Sequence, residues 1–177
     1  AWCLAFSPSR NKIKPFGTPP DFSEVATFIQ IADTIEAGIP LDMSNHPKEW
    51  ARLLEYGSSM GGAKPKIVVS HEGKEWIAKL NRKTDSIDVV KIEFATRELA
   101  VSVGIIPPAM QLHDINGRSV LLIERFDRDA LGRRHYISVH SLLNAGRIRE
   151  DYSKTTYSYG QVADLSRRMC ADPRQIA

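Results

Sequence analysis

Two cysteines in 177 residues, Cys3 and Cys170, are too few and too far apart for a disulfide framework. The expectation is a reducing, cytoplasmic compartment. No apolar run approaches the roughly 18 residues that span a bilayer, so no membrane association is expected. Strong charge of either sign is also missing: 24 Lys+Arg against 21 Asp+Glu leave +3. That balance argues against direct nucleic-acid binding. There is no basic segment followed by a small-residue cleavage site, so no signal peptide is visible. Internal repeats and low-complexity tracts are absent. The chain opens without a methionine, inside the apolar stretch Ala1-Trp2-Cys3-Leu4-Ala5-Phe6, which reads as the middle of a strand. It closes just after Asp172-Pro173-Arg174, where a helix could start. The expectation is a fragment at both ends.

What is present is enough for a core, with 42% hydrophobic residues. Pro8, Pro15, Gly17, Pro19 and Pro20 mark a surface loop. Asp21 with Glu24 spells a capping box, followed by Val25, Phe28, Ile29, Ala32 and Ile35 at helical spacing up to Gly38. A second helix is predicted over 47–56, with Trp50, Leu53 and Leu54 inward and Gly57 as its stop. The period then changes to two. Strands are predicted over 67–70 and 75–80, joined through His71-Glu72-Gly73-Lys74, and over 109–113 and 118–123, joined through Asn116-Gly117. Between the hairpins lie a polar loop, 81–87, and a helical pattern from Val89 to Val103 closed by Gly104. Ser158 with Gln161 is another capping box, opening a helix to about Met169. The fold class expected is α+β, an antiparallel sheet with one packed helix.

Three segments could carry chemistry. The first is the small-residue loop Gly57-Ser58-Ser59-Met60-Gly61-Gly62-Ala63-Lys64-Pro65-Lys66. Such loops let backbone N–H groups approach a phosphate, although a plain helix stop and connector explains them equally well. It is no Walker A loop, because Ala63 and Lys64 follow Gly62 and a strand comes next. Its Gly-x-Ser-x-Gly letters are no nucleophile elbow, because a helix precedes and a strand follows. The second segment is Trp76-Ile77-Ala78-Lys79-Leu80. Alternation puts Lys79 on the face of Ile77, opposite Ala78. A lysine on a half-buried strand face needs an anion. The phosphates of ATP would serve, with Glu93 or Glu98 of the next helix holding the amine. A single lysine is usually a surface residue. Here the order of glycine loop, strand, turn, strand with lysine, and helix with acids is the one protein kinases use. The third segment is Leu121-Leu122-Ile123-Glu124-Arg125-Phe126-Asp127, an apolar strand running into a charged connector, where a kinase would join its lobes. Arg125 and Asp127 taken alone read as solvated charges. His135 and His140 have a zinc-like spacing without a cysteine pair and read as loop residues, so no metal ligand is assigned. Arg133 and Arg134 with Arg125 and Arg128 read as a solvated basic patch.

Together these segments resemble the HipA family, serine/threonine kinase toxins of bacterial toxin–antitoxin systems. The stretches Leu99-Ala100-Val101-Ser102-Val103-Gly104-Ile105-Ile106-Pro107 and Ser138-Val139-His140-Ser141-Leu142-Leu143 fit as well, so the resemblance covers about residues 23–173. It implies a kinase-like N-lobe over 57–128, preceded by a small, partly helical subdomain over 1–56. A connector and the start of a truncated helical lobe would occupy 129–177. It implies that Gly61, Gly62, Ala63, Lys64, Pro65 and Lys66 cover the ATP phosphates and that Lys79 pairs with them. Glu93 would hold Lys79, and Glu124, Arg125 and Phe126 would form the adenine-binding hinge. Ser59, or the adjacent Ser58, would be autophosphorylated, adding about two negative charges to the phosphate loop and shutting it. The family's catalytic Asp and Asn, in an Asp-Asp-His-x-x-Asn-like stretch, and its metal-binding Asp have no match here. They, and the Mg²⁺ ligands, are expected beyond Ala177. The implied partners are a helix-turn-helix antitoxin and a protein substrate such as an aminoacyl-tRNA synthetase. The rival expectations are a catalytically inactive kinase-like module that binds an antitoxin or regulator, and a small-molecule kinase with the same lobe.

Overall fold

The computed structural model describes residues 17–42, 44, 47–58, 64–129, 132–134, 138 and 158–169. They fall into two units, one ending at Gly132 and one starting at Arg133. In the first unit the Asp21 carboxylate accepts from the Ser23 N–H, and the Glu24 carboxylate accepts from the Asp21 N–H at 2.8 Å. This capping box opens a 3-10 turn, Phe22–Glu24, that runs into α1, Val25–Glu36. Val25, Phe28, Ile29 and Ile31 are the buried face of α1. Ile35 was expected there too, but residues 35–40 are all exposed, so the chain has left the core by that turn. Gly38, at φ +69°, then redirects the backbone.

Helix α2, Pro47–Ser58, buries Leu53 fully and Trp50 and Leu54 partly. It does not stop at Gly57. The helix continues through this residue to Ser58, and α1 packs closely against it: a Cβ on Gly57 would lie 2.8 Å from Phe28 Cε2. The glycine here makes room for a ring rather than ending a helix.

Four strands follow, β1 Lys66–His71, β2 Lys74–Leu80, β3 Met110–Ile115 and β4 Arg118–Glu124. Their order is β1-β2-β4-β3, with every pair antiparallel. Both hairpins turn on two residues with positive φ, Glu72 (50°) with Gly73 (75°) and Asn116 (54°) with Gly117 (78°). These are the left-handed turns that match strand twist. Helix α3, Val89–Ser102, connects β2 to β3.

The period of two then sorts the sheet. Ile67, Val69, Trp76, Ala78, Leu80, Val120 and Leu122 face α1 and α2 and share one hydrophobic core with Val25, Phe28, Ile29, Ile31 and Leu53. The alternate residues, including Val68, Ile77, Lys79 and Leu121, face the other way, where α3 contacts β4 and β3. Helices thus serve both sides of the sheet, where the pattern led us to expect one. The architecture is α+β. Two-residue strands, Arg128–Asp129 and Gly132–Arg133, follow β4. In the second unit, α4 (Tyr159–Met169) starts from the reciprocal bonds of Ser158 and Gln161, each 3.3 Å.

Candidate functional site

The register places Lys66 of β1 directly opposite Lys79 of β2, and Lys79 opposite Leu121 of β4. Two residues away along each strand, Val68, Ile77, Ile123 and Met110 form the neighbouring row on the same face. A cationic row therefore lies beside an apolar row. From α3, Glu93 reaches the cationic row, with its Oε1 2.5 Å from Lys79 Nζ. Glu98, the other acid considered, pairs with Arg97 instead. Like charges opposed across a ladder are destabilising. The Glu93 carboxylate at Lys79 relieves that repulsion.

Lys64, two residues before β1, is ion-paired to Asp85 in the connection between β2 and α3. The backbone of this strip is also paired, since Leu80 N–H donates to Pro65 C=O at 3.0 Å. Ser59, Gly61, Gly62 and Ala63 lie outside the described residues, and Ser58 is the last helical residue of α2. Also outside them are Ala1–Phe6, Cys3, Cys170, His46, His135, His140 and residues 139–143.

A polar cluster that the sequence did not single out sits at the N-terminus of α3. Asp88 caps the helix by accepting from Lys91 N–H at 3.0 Å. The same carboxylate accepts from Asn81 Nδ2 and Ser119 Oγ, both at 2.6 Å. Asn81 Oδ1 in turn accepts from Val90 N–H at 3.1 Å. Burial pushes the Asp88 carboxyl up. The bonds from Ser119, the Lys91 N–H, Asn81 and the Lys91 ammonium outweigh it and hold it at about 2. The available signal was an Asp placed before a helical pattern.

The segment after β4 is held firmly. Glu124 N–H donates to Ala109 C=O at 2.9 Å, and Arg125 N–H donates to Glu75 C=O at 3.1 Å. The Glu124 carboxylate pairs with Lys74 at 2.7 Å. Arg125 is buried, contrary to the solvated reading of its charge. Its guanidinium donates to both oxygens of buried Asp127, at 2.9 and 2.7 Å. Arg128 adds a 2.6 Å bond to Asp127, and Glu75 lies 3.5 Å from Arg125 and 3.3 Å from Arg128. Burial raises the Asp127 carboxyl, but the Arg125 bonds and the two guanidinium charges leave it below its ordinary value. Phe126, between the paired residues, is exposed.

Elsewhere, the Phe22 ring sits 4.7 Å from both His71 and His113. Burial first, then the neighbouring His71, lowers the His113 pKa. Among the described residues no group of His, Cys, Asp or Glu is placed to hold a metal ion, and no helix is long and apolar enough to cross a membrane.

No curated protein and no solved structure matches the chain. Residues 58–177 match the family described as HipA-like C-terminal domain, and the match begins at the last residue of α2 and takes in the whole sheet, α3 and α4. Covering more than half of the sequence, it makes this chain a member of the HipA-like family.

Proposed function

We propose that this chain forms the nucleotide grip, a kinase-like N-lobe, of a HipA-type serine/threonine kinase toxin. The observation that carries the reading is the 2.5 Å Lys79–Glu93 pair between β2 and α3, with Lys66 opposite Lys79 on the strand that follows the small-residue loop. The loop Gly61–Lys66 would cover the ATP phosphates, and Lys66 and Lys79 would neutralise them while Glu93 orients Lys79. The apolar row Val68, Ile77, Ile123 and Met110 suits an adenine face beside that charge. The N–H groups of Glu124 and Arg125 are committed within the sheet.

In the reaction, a serine or threonine hydroxyl oxygen attacks the γ-phosphorus. The bond from that phosphorus to the β–γ bridging oxygen breaks, ADP leaves, and the hydroxyl proton passes to a base. Bound Mg²⁺ would neutralise charge on the phosphates. The described residues supply no cluster for it, and the 177 residues contain no match to the Asp-Asp-His-x-x-Asn pattern. What these residues contribute in this reading is binding and orientation. Phosphate on Ser59 or Ser58 would repel nucleotide phosphates and close the site. A helix-turn-helix antitoxin as partner, and a protein target such as an aminoacyl-tRNA synthetase, belong to the same reading. The near-neutral charge of the chain agrees with leaving DNA contact to the antitoxin.

The test is incubation of the full-length protein with Mg-ATP, beside Lys79→Ala, with phosphate mapped by peptide mass spectrometry. Phosphate on Ser59 or Ser58 that disappears in Lys79→Ala is the expected result. Absence of phosphate together with absence of ATP binding would overturn the proposal in favour of an inactive antitoxin-binding module.

A further inference from the structure

Glu93 meets Lys79 only if α3 is held at one height and angle over the sheet. Apolar packing does only part of this holding, with Phe94 half-buried. Val90 is the buried residue of α3, whereas Ile92, Leu99 and Val101 are exposed. The helix is also fixed at its N-terminus, by the carboxylate of Asp88. One oxygen accepts from Asn81 Nδ2 at 2.6 Å and from the Lys91 N–H at 3.0 Å. The other accepts from Ser119 Oγ at 2.6 Å, and Lys91 Nζ stands 3.3 Å away. Asn81 closes the ring by accepting from the Val90 N–H. Ser119 is buried.

The elements joined by this clasp are the ones that bring the ion pair together. Asn81 lies two residues beyond Lys79, in the chain leaving β2. Ser119 lies two residues before Leu121, the register partner of Lys79 on β4. Asp88 lies five residues before Glu93 on α3. Arg118 extends the clasp, bonding the Asn81 carbonyl at 2.5 Å and Asp33 of α1 at 2.9 Å. We propose that Asp88 is a positioning residue: its carboxylate, shared between Asn81 and Ser119, sets α3 where Glu93 reaches Lys79. Asp88 bonds to neither member of the pair and acts through the helix. Any consequence for ATP rests on the nucleotide reading above; the effect on the pair does not.

The experiment is brief acetic anhydride labelling of the full-length protein, with Lys79 acetylation quantified by peptide mass spectrometry against exposed Lys48. The proteins are wild type, Asp88→Ala, Asp88→Asn, Glu93→Gln and Asp88→Ala/Glu93→Gln, each checked for folding by circular dichroism. Asp88→Ala raises Lys79 labelling about fivefold, the factor a partly exposed ion pair supports. Glu93→Gln raises it equally, and the double variant rises no further, because both changes remove one interaction. Asp88→Asn stays within about twofold of wild type, since an amide oxygen still accepts and Ser119 can reverse its bond. A folded Asp88→Ala with wild-type labelling, or a double variant showing the product of two independent effects, overturns the proposal. Should Asp88→Ala fail to fold, Ser119→Ala removes one bond of the clasp. A partial rise supports the proposal there and no rise overturns it. Mg-ATP is added in a second arm. If it does not protect wild-type Lys79 while the variants still behave as expected, the positioning role stands and the nucleotide reading falls.

Discussion

Lys66 and Lys79 stand directly opposite each other on β1 and β2, and the Glu93 carboxylate reaches the row from α3. Two ammonium groups side by side on one row give a polyphosphate a place to lie. Lys66→Ala should weaken ATP binding about tenfold, and Lys79→Ala by at least as much, at low salt. Isothermal titration calorimetry reads both, and the loss should shrink as ionic strength rises. Unchanged ATP affinity in both variants would mean that the row holds no phosphate.

Arg125 and Asp127 form a buried, two-bond pair only two residues apart. Breaking a buried pair from one side strands a charge, at a cost of about 3–5 kcal/mol. Asp127→Ala should therefore lower stability by about that much in urea unfolding. Replacing both with leucine should cost much less, because no charge is then left unpaired. Equal losses from the single and double replacements would show that the pair's charge is immaterial.

Asp88 gives the pH dependence a sign. Its carboxyl sits at about 2 in the folded chain against 3.8 for the free group. A lowered carboxyl contributes stability that is fully present above about pH 4 and is lost as pH falls towards 2. The gap is worth at most about 2 kcal/mol, and partial exposure of the carboxylate trims it towards about 1. Unfolding free energy measured between pH 5 and pH 2 should fall less steeply in Asp88→Asn than in wild type. Parallel curves would show that Asp88 does not contribute to the acid response.

Local chemistry made much of this fold legible in advance. Asn116-Gly117 and Glu72-Gly73 announce their hairpins because few residues accept positive φ in succession, and Asp21 with Glu24 announces its helix by a bond three residues long. Strand parity alone put Lys79 opposite Ala78, and Glu93 is where the following helix brings an acid to it. What stayed hidden depends on partners distant in the chain. Asp88 meets Ser119 across 31 residues, so the stretch before it reads only as a polar loop. Arg125 and Asp127 read as solvated because charged residues usually are, and only the fold around Glu75 buries them. Along α3 Val90 is buried while Ile92, Leu99 and Val101 are exposed, since periodicity reports a face and not what covers it.

Gly57 tests whether close packing or helix propensity governs the end of α2. Alanine is favoured over glycine inside a helix by about 1 kcal/mol, so on propensity alone Gly57→Ala should stabilise. The added Cβ, however, would lie 2.8 Å from Phe28 Cε2, closer than such contacts allow. Overpacking of this kind costs about 1–3 kcal/mol and should outweigh the propensity gain. Gly57→Ala is therefore expected to lower the thermal midpoint. In a Phe28→Leu background, where the ring is gone, the same change should be neutral or stabilising. The sign reversal between the two backgrounds is the decisive measurement. Stabilisation in both would mean that Phe28 gives way easily and that the glycine is not needed for the crossing of α1 over α2.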